Sequence, residues 1–367
     1  MKSNYSVGII GATGMVGQRF VTLLHNHPWY TVKVLAASPR SAGKKYKDAV
    51  GTKWAMKEDI PVSIADMVVM DAANDVEKIA EQVDFVFCAV DMKKDEIKAL
   101  EDRYAKAECP VVSNNSAHRH TPDVPMIIPE INPEHINIIP AQRERLGTKR
   151  GFVAVKSNCS LQSYLPAMAV INEKYPIDHA LVTTYQAISG AGKTFEAWPE
   201  MADNLIPYIG GEEMKSEVEP NKILGKIEGK EIVPSTKLQI ECQTYRVPVS
   251  DGHTAAIFFS FKDGVKKPSV EEIEELWRNY KGVPQELKLP HAPEQFIHVY
   301  TEKENPDMPQ IKTAREIDGG MAISCGRLRE STQYDYKMVS MSHNTLRGAA
   351  GGAVLLAELL TAKGWFD

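Results

Sequence analysis

Lys156-Ser157-Asn158-Cys159-Ser160 follows an apolar run and opens a helical one. A thiol at such a junction faces a helix dipole and free backbone N–H groups, which lower its pKa and favour the thiolate. The other four cysteines, Cys88, Cys109, Cys242 and Cys325, fall inside strand-like segments or at the edge of one. A buried cysteine there is a small, inert hydrophobe. A cysteine nucleophile needs an acid or base beside it. Ten histidines compete for that place. His253 closes a polar turn, Ser250-Asp251-Gly252-His253, between two long strand-like segments. A histidine in such a turn can equally be solvated, so spacing alone leaves the pairing open.

A second chemistry is written near the N-terminus. Gly11-Ala12-Thr13-Gly14-Met15-Val16-Gly17 lies between a strand and a helix. Glycines there let the backbone approach a pyrophosphate, and the helix N-terminus supplies N–H groups and partial positive charge. The spacing is GxxGxxG rather than GxGxxG, and a tight turn is the alternative; the strand–turn–helix context favours a nucleotide against Gly11, Thr13, Gly14, Met15 and Val16. NAD-preferring folds carry Asp or Glu at the end of the second strand. Here the chain reads Ala37-Ser38-Pro39-Arg40-Ser41. Ser38, Arg40 and Ser41 suit a 2′-phosphate, although the same residues also suit a solvated turn. The missing acid points to NADP.

These groups need a scaffold, and the hydrophobic pattern supplies one. Strands are expected at Ser6–Ile10, Val32–Ala37, Phe85–Val90 and from Pro110 to Ser113, with helices at Met15–Leu24 and Glu96–Lys106. That alternation predicts a Rossmann-type doubly wound parallel sheet. The second half differs. A helix is expected over Leu161–Tyr175, and strands over Ala180–Ile188, Gln239–Val249, Thr254–Phe261, Met321–Leu328 and Asp335–Met341. Asp203 to Ser235 reads as loops and short helices. Ser269-Val270-Glu271-Glu272 is a capping box for a helix reaching Tyr280. The last helix, Thr345–Lys363, ends at Gly364 and is expected to return to the first unit. The fold class is therefore α/β, with a dinucleotide-binding domain followed by an α+β domain built on a largely antiparallel sheet.

The chain has 367 residues, enough for two or three domains and a sizeable core. Hydrophobic residues are 43% and charged residues 25%, as in a soluble globular protein. The net charge of −5 argues against a nucleic-acid binder. Five cysteines without a CxxC pair argue against a disulfide framework and a structural zinc site, and no metal is expected. Met1-Lys2-Ser3-Asn4-Tyr5 leads into a strand without a signal-peptide core, and no apolar run approaches the ~20 residues of a membrane helix. A cytoplasmic protein is expected.

Together, the glycine loop, the Ser-Asn-Cys-Ser stretch and the turn before His253 resemble aspartate-β-semialdehyde dehydrogenases. So do Gln186-Ala187-Ile188-Ser189-Gly190-Ala191-Gly192, Arg246-Val247-Pro248-Val249 and Asn344-Thr345-Leu346-Arg347-Gly348-Ala349-Ala350-Gly351. The motifs fall in the family's order from Val7 to the last helix. Pro129 to Asn132 and the sequence after Cys159 look most like the archaeal and fungal branch. The resemblance implies oxidation of L-aspartate 4-semialdehyde, with phosphate and NADP, to L-4-aspartyl phosphate. The physiological direction is the reductive one, toward lysine, threonine and methionine. It implies Cys159 as the nucleophile of a thioacyl enzyme, Gln186 as the residue positioning the carbonyl, and His253 as acid/base. Arg246 would clamp the α-carboxylate and Glu212 would meet the α-ammonium. Lys215 and Arg119 would hold phosphate, and Asn344 the nicotinamide carboxamide. Ser189 and Gly190 would join the cofactor site.

On their own, Glu212 and Lys215 read as a surface ion pair, and Arg119 as part of a surface loop; only the resemblance assigns them. Residues 1–157 with 344–367 would form the NADP-binding domain and 158–343 the catalytic and dimerisation domain of a homodimer or homotetramer. A malonyl-CoA reductase-like thioester reductase is the alternative. Its substrate has no ammonium for Glu212 to meet.

Overall fold

A computed structural model describes residues 4–367; Met1–Ser3, where the leader-free start was read, lie outside the described residues. The first sheet has seven strands: β1 (Tyr5–Ile10), β2 (Tyr30–Ala37), β3 (Met70–Asp71), β4 (Phe85–Cys88), β5 (Val111–Ser113), β6 (Met126–Ile127) and β7 (Val153–Lys156). Their order is β3-β2-β1-β4-β5-β7-β6, and every neighbouring pair is parallel. The order reverses beside β1, where a doubly wound sheet opens a crevice for a ligand. β1, β4 and β7 are almost wholly apolar because helices cover both faces.

The second sheet contains β8 (Ile177–Gln186), β11 (Gln239–Arg246), β12 (His253–Phe261), β13 (Ile297–Tyr300), β14 (Ile323–Glu330) and β15 (Tyr336–Ser342), in the order β11-β8-β12-β15-β14-β13. The three inner pairings are antiparallel and the two outer ones parallel, so the expected antiparallel character holds only in the middle. β8 and β12 alternate buried and half-exposed residues, as a sheet covered on one face does. A small hairpin, β9 (Lys226–Glu228) and β10 (Glu231–Val233), stands apart.

Five stretches depart from the sequence expectations for local reasons. The Leu161–Tyr175 helix is broken: a 3-10 turn covers Leu161–Ser163, Tyr164 leaves helical geometry at φ −141, and the regular helix is Leu165–Lys174. Asp203 to Ser235 holds a twelve-residue helix, Glu212–Ile223, despite Pro220 within it. A proline frees the carbonyl four residues earlier, and here Tyr164 Oη donates to that carbonyl, Ser216 O, at 3.4 Å. The closing helix is regular only over Gly351–Ala362; Leu346–Ala350 is π-like, with Ala349 far from helical at φ −138 and ψ −106. Strands expected to reach Val90 and Val249 stop at Cys88 and Arg246, where the chain turns toward the site.

The closing helix does return to the first sheet. Val354, Leu355 and Leu359 share a core with Ile9, Phe20 and Phe87. Glu358, fully buried, accepts from His27 Nε2 at 2.9 Å and from His291 Nδ1 at 2.6 Å.

Candidate active site

Sheet register assembles the first row of the site. Gln186 ends β8, and its direct partners are Arg246 on β11 and His253 on β12. Three strand ends thus bring an amide, a guanidinium and an imidazole side by side, all at least nine-tenths buried. Ala187 continues the chain past β8 and fixes two of them. Its N–H donates to His253 Nδ1 at 3.1 Å, and its carbonyl accepts from Arg246 Nη1 at 2.6 Å. Gly190 folds over the same pair: a Cβ there would lie 2.8 Å from Arg246 Nη1 and 3.2 Å from His253 Nε2. Only glycine fits that approach.

The cysteine arrives from the other sheet. Cys159 follows β7 and brings Sγ to 3.5 Å from His253 Nε2. Since Nδ1 accepts from Ala187, the neutral ring carries its proton on Nε2. Burial and then Arg246 push His253 down to about 3, so that neutral form persists at neutral pH. His253 therefore points a donor at the sulfur. The expected lowering of the thiol is corrected here: burial, and after it Glu212, push Cys159 up, with Lys156, Arg119 and Arg246 opposing. The broken helix explains the difference, because the regular helical turns begin only at Leu165.

Helix Glu212–Ile223 clamps the cysteine's turn. Asn158 Nδ2 donates to both Glu212 oxygens at 3.1 and 3.0 Å, while its backbone N–H donates to Glu219 Oε2 at 2.7 Å. Asn158 Oδ1 accepts from Ser160 N at 2.7 Å, which fixes the amide. Lys215 Nζ donates to Glu212 Oε1 at 2.7 Å, so the pair is no idle surface contact. Burial would raise the Glu212 carboxyl, but Lys215 and Asn158 hold it below the ordinary carboxylate range. Gln186 Nε2 reaches Glu212 Oε2 at 3.4 Å and links the helix to the strand row.

Arg119 is buried rather than on a surface loop. It donates to Glu219 Oε1 at 2.9 Å, to Lys156 O at 3.1 Å and to Asn114 O at 3.3 Å. Lys222 Nζ secures its loop through three carbonyls, Arg119 O at 2.9 Å, Thr121 O at 2.6 Å and Val124 O at 2.7 Å. Arg119, Cys159, Ser189, Lys215, Asn344 and Gly348 share the lining of one cavity of about 250 Å³.

The residues expected to meet the cofactor divide into two groups. Asn344 accepts from Gly252 N at 2.7 Å and donates to Ser189 Oγ at 2.9 Å, and Val16 joins them at the cavity. The glycine loop crosses the end of β2, with Gly11 N and Ala12 N donating to Ala36 O at 2.8 and 3.0 Å. Gly14 precedes helix Met15–Leu24 with no side-chain cap, and a Cβ on it would meet only Gly11 O at 3.6 Å. That open, uncapped helix start fits a pyrophosphate. Ser38 and Arg40 are exposed and Ser41 half-buried in the turn after β2.

Sequence reasoning passed over Lys156, Asn158, Glu219, Lys222 and Gly348. Lys156 and Asn158 stood in the cysteine motif itself. Glu219 lies seven residues after Glu212, hence on the same helix face, a relation that the reading of Asp203 to Ser235 as loops and short helices did not bring out.

Fold and site together define a nucleotide-dependent oxidoreductase that works through a cysteine. Residues 6–139 match the NAD-binding domain of semialdehyde dehydrogenases, and residues 168–347 match their dimerisation domain. The aspartate-semialdehyde dehydrogenase of Candida albicans is 41% identical over 97% of this chain and 98% of its own, and that of Methanothermobacter thermautotrophicus is 39% identical over 97% and 98%. The crystal structure of the Candida albicans enzyme with NADP superposes with a TM-score of 0.88 at 39% identity, covering 99% of this chain and all of that one. The chain belongs to the aspartate-semialdehyde dehydrogenase family.

Proposed function

We propose that the chain interconverts L-aspartate 4-semialdehyde and L-4-aspartyl phosphate with NADP, in the reductive direction toward lysine, threonine and methionine. The observation that carries this reading is the approach of Cys159 Sγ to His253 Nε2 at 3.5 Å, beside buried cations and one buried carboxylate. In the oxidative direction the Cys159 thiolate adds to the aldehyde carbon, forming a C–S bond and an alkoxide. His253 Nε2–H, freed from the sulfur, donates to that oxygen, and Gln186 orients it. Loss of hydride from the same carbon closes the carbonyl and leaves a thioester. A phosphate oxygen then attacks, the C–S bond breaks, and the thiolate departs. Arg246 holds the α-carboxylate as a fork, Glu212 faces the α-ammonium, and Arg119 with Lys215 holds the phosphate. A substrate with an ammonium would give the buried Glu212 a second cation beside Lys215; a malonyl thioester brings none.

NADP, when bound, gives or takes the hydride. The glycine loop (Gly11, Thr13, Gly14, Met15 and Val16) would hold its pyrophosphate, Ser38, Arg40 and Ser41 its 2′-phosphate, and Ser189, Gly190 and Asn344 its nicotinamide end. Residues 1–157 with 344–367 serve as the NADP-binding unit and 158–343 as the catalytic one. The open face of the second sheet carries Tyr185, 37% exposed, stacked on Tyr245 at 5.8 Å. With the match to a dimerisation domain, this supports a second copy of the chain as its cover, in a homodimer or homotetramer. Among the described residues no helix is long and apolar enough to cross a membrane; we assign the chain to the cytoplasm.

The test is a phosphate-dependent assay with L-aspartate 4-semialdehyde, run with the wild type and Cys159→Ser. Turnover should fall by at least ~10³-fold in the variant while cofactor binding persists, because a serine hydroxyl is a far weaker nucleophile. Retained turnover would eliminate the covalent route.

A further inference from the structure

Lys156, the last residue of β7, is 2% exposed. Its Nζ donates to Ser157 O at 2.5 Å and to Gly348 O. Both carbonyls flank the nucleophile. Ser157 lies two residues before Cys159, and a Cβ on Gly348 would come within 3.0 Å of the Cys159 Cβ. Lys156 thus ties the π-like segment Leu346–Ala350 to the cysteine's turn, and it lines the same cavity as Cys159.

Among the described residues no carboxylate pairs directly with Lys156, and the charges around it are committed elsewhere. From helix Glu212–Ile223, Glu219 accepts from Arg119 and from Asn158 N, and Glu212 accepts from Lys215 and Asn158 Nδ2. Arg119, from the loop after β5, is itself a cation and disfavours a second one; burial and then Arg119 bring Lys156 down to about 7, with Cys159, Glu219 and Glu212 pulling the other way. From β11, Arg246 is a further cation that favours the thiolate, and from β12 His253 is neutral.

The thiol has the complementary problem. His253 already carries its proton on the nitrogen that faces sulfur, so it is not placed to receive another there. Of the cations that favour the Cys159 thiolate, Lys156 acts most strongly, ahead of Arg119 and Arg246. A buried ammonium without a carboxylate shares the cavity of the half-buried Cys159 thiol, and each favours the charged form of the other. We propose that Lys156 is a positioning residue for the reaction: it supplies the positive charge that the Cys159 thiolate faces, and it locks the closing segment against the nucleophile. This rests on Cys159 being the nucleophile.

The experiment is the pH dependence of iodoacetamide alkylation at Cys159, followed by peptide mass in the full-length wild type, Lys156→Met and Lys156→Arg. The thiolate displaces iodide, so the rate reports the ionised fraction. In Lys156→Met the midpoint should rise by about one pH unit or more, with a ~10-fold slower reaction at pH 7.5; Lys156→Arg should restore the wild-type midpoint. An unchanged midpoint in the Met variant would overturn the proposal, since a merely structural lysine would move the melting temperature alone. If Lys156→Met does not fold, the Arg variant decides: a midpoint at or below the wild-type value supports the proposal, and a raised one overturns it. The thiol's midpoint is independent of turnover. Failure of the nucleophile reading would appear instead as activity in Cys159→Ser.

Discussion

Replacing Glu219 by Gln should show how much of the site's geometry rests on a residue that touches no reacting atom. Glu219 is 1% exposed and divides its two oxygens between Arg119 Nη1 at 2.9 Å and Asn158 N at 2.7 Å. Glutamine keeps the shape but has one acceptor. If its oxygen serves Arg119, its NH₂ opposes the Asn158 N–H, and a buried donor is left unpaired at about 1–3 kcal/mol. If it serves Asn158, Arg119 keeps two carbonyls but becomes a buried cation without a carboxylate, and breaking such a pair costs about 3–5 kcal/mol. The first arrangement wins, with part of the second cost added through the lost charge, for a total of about 3 kcal/mol. A chain of 367 residues unfolds with an entropy of about 0.8 kcal/mol/K, so the melting temperature should fall by ~4 °C. The cysteine's turn loses its anchor one residue before the nucleophile, and a misplacement of ~1 Å costs about 100-fold. The assay is kcat for phosphate-dependent oxidation of L-aspartate 4-semialdehyde beside a thermal melt and a cofactor titration. We expect kcat down 10- to 100-fold and cofactor affinity unchanged. A variant with wild-type kcat and melting temperature would refute the clamp.

Two further changes separate the ligands. Arg40→Ala should raise the KM for NADP and leave that for NAD nearly unchanged, because only NADP carries a 2′-phosphate; equal losses would make Arg40 structural. Glu212→Gln should lower kcat/KM for L-aspartate 4-semialdehyde by a moderate factor and lower that for succinic semialdehyde less, or raise it. The ratio of the two aldehydes is the readout, and an unchanged ratio would mean that Glu212 does not read the amino group.

The doubly wound sheet was legible because its strands are apolar on both faces and alternate with helices. β3 and β6 were not, being two residues each and too short to carry a period. The strand ends holding Gln186, Arg246 and His253 were visible as strands, but their common register is a property of pairing between segments far apart in sequence. Cys159 could be found from its neighbours, yet the sign of its pKa shift could not. Burial is set by everything packed on the turn, including Gly348, nearly two hundred residues away. Helix Glu212–Ile223 was hidden by Pro220, whose cost is relieved by a hydroxyl from Tyr164 that no local pattern announces. Arg119 and Lys215 looked like surface charges for the same reason: their burial comes from that helix.

The charges gathered here are unbalanced, and that has a measurable consequence. Arg119, Lys156, Lys215 and Arg246 stand against Glu212 and Glu219, and Lys222 against Asp123 and Glu219, with Lys156 and Lys222 hydrogen-bonded to carbonyl oxygens. Burial pushes both lysines down to about 7, so the ligand-free site sheds positive charge near neutral pH. A phosphate and a carboxylate entering the cavity beside Lys156 favour its charged form and raise its pKa. Above pH 7 in the free enzyme, raising that pKa means taking up a proton. Binding of inorganic phosphate at pH 8 should therefore absorb a fraction of a proton per site, read as the slope of calorimetric binding enthalpy against buffer ionisation enthalpy. In Lys156→Arg, which is charged throughout, that slope should shrink toward the small uptake expected from Lys222, less the protons that phosphate itself releases beside cations. An equal slope in both proteins would place the titrating group elsewhere and remove Lys156 from the charge balance that the anions complete.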